Sequence, residues 1–161
     1  MRNVLLLFLA CALAGCGFHL RGTADLPFSS VYVPGATGGI ALSLARNIRA
    51  GTHVKLVDEP KQAEAILEFT NETRAKEILS LTGTGRVREF RLRYRVGFRV
   101  HDGKGNDYVP QSTLELTRDV SFNDAQVLAK ESEEQQLYRD MEGDMVQQIM
   151  RRLESAQKPK A

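Results

Sequence analysis

The chain has 161 residues, 22 Lys and Arg against 20 Asp and Glu, and a formal net charge of +2, so no global charge draws it to a polyanion. Two cysteines, Cys11 and Cys16, and three histidines, His19, His53 and His101, exclude a disulfide-rich fold and leave little for a metal centre. The length suits one domain of ordinary size.

In chain order, one cation, Arg2, precedes an apolar run over residues 4–14, the n-region and h-region of a secretory signal peptide. The run is too short to span a bilayer, which takes about 20 apolar residues in a helix. Leu13-Ala14-Gly15-Cys16 then has the form of a bacterial lipobox. It predicts removal of residues 1–15 and a thioether-linked diacylglycerol on Cys16, with an acyl chain such as palmitate on the new amine. Each buried CH₂ contributes about 0.8 kcal/mol, so two or three chains hold a domain on a membrane stably. Gly17 stands where an inner-membrane retention signal carries aspartate, which favours the outer membrane with the domain on the periplasmic side. Cys11 leaves with the signal peptide and Cys16 is consumed by lipid, so packing alone must hold the fold.

Residues 16–28, with Gly22 and Pro27, read as a lipidated tether. Residues 30–33 form a first strand, stopped by Pro34 and Gly35. Ile40, Leu44 and Ile48, with Ala41 and Ala45 beside them, recur at helical spacing, and Gly51 stands in the C-cap position. No P-loop lysine follows Gly38-Gly39, which is a loop rather than a phosphate cradle. Residues 54–57 are a second strand, and strand-helix-strand order predicts a right-handed crossover between parallel strands. Ala63, Ala65, Leu67 and Phe69 open a third strand whose alternation fades from Glu72 to Leu81.

Past the turn Thr82-Gly83-Thr84-Gly85 lies the cleanest period-two segment. Phe90, Leu92, Tyr94, Val96, Phe98 and Val100 take one face; Glu89, Arg91, Arg93, Arg95, Gly97 and Arg99 take the other. After a turn at residues 101–106, residues 108–120 return with Leu114 and Leu116 inward and Glu115 able to pair with an arginine across the hairpin. Asn123 is positioned to cap the last helix, with Gln126 in a capping-box position. Leu137, Tyr138, Met141, Met145, Ile149 and Leu153 trace its apolar stripe. Residues 130–136 are all polar, so the helix start is expected beyond the core, and residues 155–161 are expected to be a disordered tail. These elements define an α/β domain of α+β type at residues 29–154. It is a two-layer sandwich, two helices packed on one face of a mixed, mainly antiparallel four- to five-stranded sheet, with the other face polar and no large exposed apolar stripe.

Catalysis finds no footing. The histidines sit in the tether, at a strand start and in a turn; there is no paired-histidine metalloprotease motif and no Gly-x-Ser-x-Gly elbow. Glu131, Glu133 and Glu134 read as a solvated helix face. No catalytic residue, metal ligand or cofactor other than the covalent lipid is expected. The sharpest feature is the row Arg86, Arg88, Arg91, Arg93, Arg95 and Arg99, opposed locally only by Glu89. Two readings stand side by side: a soluble sheet face protected by charge and cross-strand pairs, or an array whose planar forks meet phosphates. For an exported, lipid-anchored chain the phosphate-bearing polyanion at hand is lipopolysaccharide (LPS), not nucleic acid.

Cys16-Gly17-Phe18-His19-Leu20-Arg21-Gly22 directly after the lipobox resembles the start of the LPS-assembly lipoprotein family, LptE, also called RlpB. Ser121-Phe122-Asn123-Asp124-Ala125-Gln126-Val127-Leu128-Ala129-Lys130-Glu131 is similar to that family's approach to its final helix. The order of elements agrees across the mature chain. The resemblance implies a non-enzymatic partner of the outer-membrane β-barrel LptD. That partner plugs the barrel, supports its assembly and binds LPS on its way to the outer leaflet. By position it implies LPS contact at Lys130 and, through a looser match at the hairpin turn, Arg86; the arginine row itself adds Arg91, Arg93 and Arg95 as further candidates. The alternative is a periplasm-facing lipid-binding or scaffold lipoprotein of another envelope-assembly machine, which predicts a closed apolar groove.

Overall fold

The computed structural model describes residues 24–158. The expected signal peptide, Cys16, the tether up to residue 23 and residues 159–161 lie outside the described residues. In order come β1 (Ser30–Tyr32), α1 (Gly39–Gly51), β2 (Lys55–Leu56), a 3₁₀ turn (Pro60–Gln62), β3 (Ala65–Leu81), β4 (Val87–His101), β5 (Asp107–Ser121), a second 3₁₀ turn (Asp124–Gln126) and α2 (Val127–Glu154). One five-stranded sheet has the order β2-β1-β3-β4-β5. β1 is parallel to both β2 and β3, and β3, β4 and β5 are antiparallel neighbours. This is the expected two-layer α+β sandwich, with the parallel strand pair where the strand-helix-strand pattern put it.

The core lies between the helices and the sheet face that the β4 alternation marked out. Leu92, Tyr94, Val96, Phe98 and Val100 are fully buried, as are Leu44 and Ile48 of α1 and Met141, Met145, Ile149 and Leu153 of α2. Burying each large apolar side chain contributes about 1.5–3 kcal/mol relative to leaving it exposed. α1 ends one residue later than predicted. Gly51 is its last helical residue, and the extended Thr52 caps it, backbone N–H and hydroxyl both donating to the Ile48 carbonyl at 3.1 and 2.8 Å. At the start of α2, Asn123 Oδ1 accepts from the Ala125 N–H at 3.0 Å and caps the 3₁₀ turn. The helix proper begins at Val127 with no side-chain cap, so Gln126 closes no capping box.

The fading third strand does not end. β3 continues to Leu81, paired with β4 throughout, but its register shifts between Phe69 and Asn71 and again around Ser80. The first shift is a bulge, and a bulge inverts the side-chain parity of everything after it. Before it Ala65 and Leu67 point into the core; after it Glu72, Arg74 and Lys76 face the helices and Asn71, Thr73 and Glu77 face out. The constant period that alternation analysis needs is broken by that one residue.

The two helices run side by side in the same direction. The Ser43 hydroxyl donates to Glu142 at 2.6 Å and the Gln147 amide to Asn47 at 3.2 Å. Their C-terminal ends therefore meet at one end of the molecule, where the Ala24 N–H donates to the Gly51 carbonyl at 2.8 Å. The β3–β4 turn and the start of α2 occupy the opposite end. Where no large exposed apolar stripe was expected, Ile78, Leu79, Leu81, Val127 and Leu128 are exposed at that end.

Candidate functional site

The outer sheet face carries Arg91, Arg93, Arg95 and Arg99 as the β4 alternation predicted, yet it is not a bare cationic array. Arg91 holds Asp119 through Nε and Nη2 at 2.8 and 2.9 Å. Arg93 reaches Glu77 on β3 at 3.1 Å and Glu115 on β5 at 3.2 Å. Arg95 donates to the other Glu115 oxygen, and Arg99 pairs with Asp107 at 3.0 Å. The carboxylates lie opposite the arginines in register, Arg91 against Asp119 and Arg95 against Glu115. Hydrogen bonding to Arg95 lowers the pKa of Glu115, and hydrogen bonding to Arg91 lowers that of Asp119. Of the two sequence readings, the cross-strand pairs are present; the arginines counted as unopposed along the chain are opposed across the sheet.

Arg86 and Arg88 lie at the mouth of the β3–β4 turn. The Arg86 N–H donates to the Thr82 hydroxyl at 3.1 Å, and Arg88 pairs with Glu89 at 3.3 Å. Glu89 is held below the usual carboxylate range by the Ser80 hydroxyl first and Arg88 second. Arg86 is thus at the tip, away from Arg93 and Arg95, and the structure does not bring the candidate cations into one site.

Lys130 is placed differently. Its side chain is only 18% exposed, and its ammonium donates to the Ser121 hydroxyl at 3.0 Å and to Glu133 at 2.8 Å. It lines a cleft of about 210 Å³ with Lys76, Phe90, Phe122, Val127 and Glu134. Lys76 pairs with Glu134 at 2.6 Å and lies 4.3 Å from the Phe90 ring centroid, a cation–π contact. Phe90 and Phe122 meet edge to face at 5.2 Å. The cleft thus sets the Lys76 ammonium on the Phe90 ring and the Lys130 ammonium at its rim, each paired with a carboxylate of α2, Glu134 and Glu133. Lys76, Phe90 and Phe122 are site residues that sequence analysis did not single out. The bulge-inverted parity of β3 hides Lys76; the rings were visible only as core and motif.

Among the described residues no helix is long and apolar enough to cross a membrane, and no group of His, Cys, Asp and Glu could hold a metal.

The family model for LptE, described as lipopolysaccharide-assembly, matches residues 28–153. The LPS-assembly lipoprotein LptE of Photorhabdus laumondii is 27% identical over 155 residues, 92% of this chain and 84% of that protein. Its counterpart in Yersinia pestis is 30% identical over 145 residues, 87% of this chain and 69% of that protein. Among solved structures, an uncharacterized lipoprotein B of Nitrosomonas europaea is 44% identical with a TM-score of 0.71, covering 84% of this chain and 88% of that one. Rare lipoprotein B of Shewanella oneidensis is 25% identical with a TM-score of 0.67, covering 78% and 92%. Fold and relatives together define a lipoprotein of the LPS-assembly system. The chain belongs to the LptE family.

Proposed function

We propose that this protein is a non-enzymatic outer-membrane lipoprotein, anchored through acylated Cys16, that sits as a plug in the LPS-transport barrel LptD. There it supports the barrel's assembly and contacts LPS during delivery to the outer leaflet. The observation that carries this reading is the lengthwise polarity of the molecule. Ala24, where the chain from the anchor arrives, is tied to Gly51 beside the C-terminal end of α2. Lys130 lies near the other end, about 30 Å away along a helix that rises 1.5 Å per residue. Such a molecule holds its anchor in one leaflet and its lysine-lined cleft well away from it, as a handover of an anionic glycolipid requires.

The paired sheet face supports the plug role. A barrel lumen is polar and can be filled by a separate element. A face whose arginines already carry their own carboxylates can lie against such a wall without leaving buried charges unpartnered. A lipid-carrier role in another envelope machine calls for a closed apolar groove, whereas the Lys130 cleft holds about 210 Å³ and is rimmed by charge.

The test is a pull-down of the tagged full-length chain from envelope membranes, scored for a large β-barrel. Recovery of LptD at near-equal amounts is expected. Recovery of the chain alone, when both proteins are expressed, overturns the reading.

A further inference from the structure

The long helix α2 is two structures in one. From residue 141 onward Met141, Met145, Val146, Ile149, Met150 and Leu153 are buried; no residue from 127 to 140 is. The apolar contribution of that first half is the half-buried pair Leu137 and Tyr138. What fastens it to the β3–β4–β5 arm is polar. The Tyr138 hydroxyl donates to the Ala75 carbonyl at 2.8 Å, Lys76 pairs with Glu134 at 2.6 Å, and Lys130 reaches Ser121 at 3.0 Å. Of these contacts the Lys76–Glu134 ion pair is weakened by salt, and each hydrogen bond adds only about 1 kcal/mol net, whereas the buried apolar stripe of the second half does not depend on salt. At the junction stands Gly143, exposed, where a Cβ would meet nothing within 4 Å. Packing does not call for glycine there, and its presence lowers the resistance of the helix to bending.

We propose that residues 127–140 form a strap that lifts off the arm by bending of the single helical turn 140–143, which Gly143 softens, while Met141 and the rest of the buried stripe to Leu153 stay docked. Opening breaks the Lys76–Glu134, Lys130–Ser121 and Tyr138–Ala75 contacts together. It uncovers the Phe90–Phe122 floor and frees the Lys76 ammonium from Glu134 for an incoming anion, while Lys130 leaves with the strap, still paired with Glu133. An anionic group that takes Lys76 from Glu134 favours the open form, so occupancy of Lys76 on the arm and opening of the strap are coupled. The proposal rests on the geometry of this chain alone and stands apart from the choice of barrel partner.

Amide hydrogen exchange on the full chain tests it. Amides of residues 131–140 are expected to exchange together, at least about tenfold faster than those of 145–153, with the step inside the turn 140–144. High salt and Lys76→Ala should each speed the first group and leave the second unchanged; Gly143→Ala should slow the first group alone. One common protection level from 131 to 153 overturns the strap, as does a smooth gradient, which is end fraying, or a first group indifferent to both salt and Lys76→Ala.

Discussion

The hydroxyl of Thr70 lies 2.7 Å from where a Cβ on Gly97 would stand, and it accepts a 2.6 Å hydrogen bond from the Gln111 amide. Thr70 is the extra residue of the β3 bulge and Gly97 faces it across the strand pair. The glycine in an otherwise regular β4 is therefore the counterpart of the bulge that turns Glu72, Arg74 and Lys76 toward the helices. Gly97→Ala should cost about 1–3 kcal/mol through overpacking, read from the urea midpoint at unchanged slope. Adding Thr70→Ala should restore most of the loss, because the two residues share one space. Full additivity of the two changes would show that the close approach is not the cause.

Glu115 serves two arginines, accepting from Arg93 at 3.2 Å and from Arg95 Nε at 2.8 Å. Glu115→Gln should leave the urea midpoint nearly unchanged, since exposed ion pairs contribute little. It should also raise binding to vesicles rich in anionic lipid severalfold at low salt, an effect that disappears at high salt. Unchanged vesicle binding would mean that Arg93 and Arg95 are not neutralised by this carboxylate.

Lys130→Asp should weaken LPS binding severalfold and shift the unfolding free energy by about 1–2 kcal/mol, because it removes the Glu133 pair within the helix and the hydrogen bond to Ser121 on β5 but nothing in the apolar core. Lys76→Ala should weaken it in the same direction, as the second ammonium of the cleft. Lys104→Asp, in the exposed β4–β5 turn at the other end of the molecule, is the control. Equal loss from Lys104→Asp would reduce the effect to nonspecific electrostatics.

Glu64 ties Lys158, in the segment after α2, to Ser29, the residue before β1. Its carboxylate is pulled down to a pKa of about 2, by the hydrogen bond from Lys158 first and the Ser29 N–H second, with the Ser29 hydroxyl adding to them against the opposing effect of burial. A carboxylate whose folded pKa lies below its unfolded value stabilises the fold at higher pH, and the contribution is lost as pH falls toward the folded pKa. Between an unfolded value of about 4.3 and the folded value of about 2, the native chain should therefore lose stability on acidification more steeply than Glu64→Gln. Parallel stability curves for the two proteins across that window would refute the assignment.

What was legible without coordinates follows from where local pattern and tertiary packing agree. β4 alternates without interruption because both of its neighbours are strands and its inner face meets the helices along most of its length. The stripes Ile40-Leu44-Ile48 and Met141-Met145-Ile149-Leu153 repeat at the helical period because each packs on that one face. The strand-helix-strand start forced a parallel pair, and a two-layer sandwich followed. Lys130 stood out through its motif, and it lies at the cleft.

Other features belong to the tertiary structure alone. The charge of the arginine face could not be summed along the chain, because Glu77, Asp107, Glu115 and Asp119 are brought to it by register, from other strands. The orientation of Lys76 was invisible because a single bulged residue reverses parity, and nothing in the period before it announces the change. Whether a helix is docked by apolar burial or pinned by ion pairs is likewise a property of what lies opposite. By itself the sequence determined which faces are apolar and which elements exist, since those are local consequences of side-chain spacing. Which charges neutralise one another, and which half of α2 can leave the sheet, only three-dimensional register decided, because both depend on partners dozens of residues away.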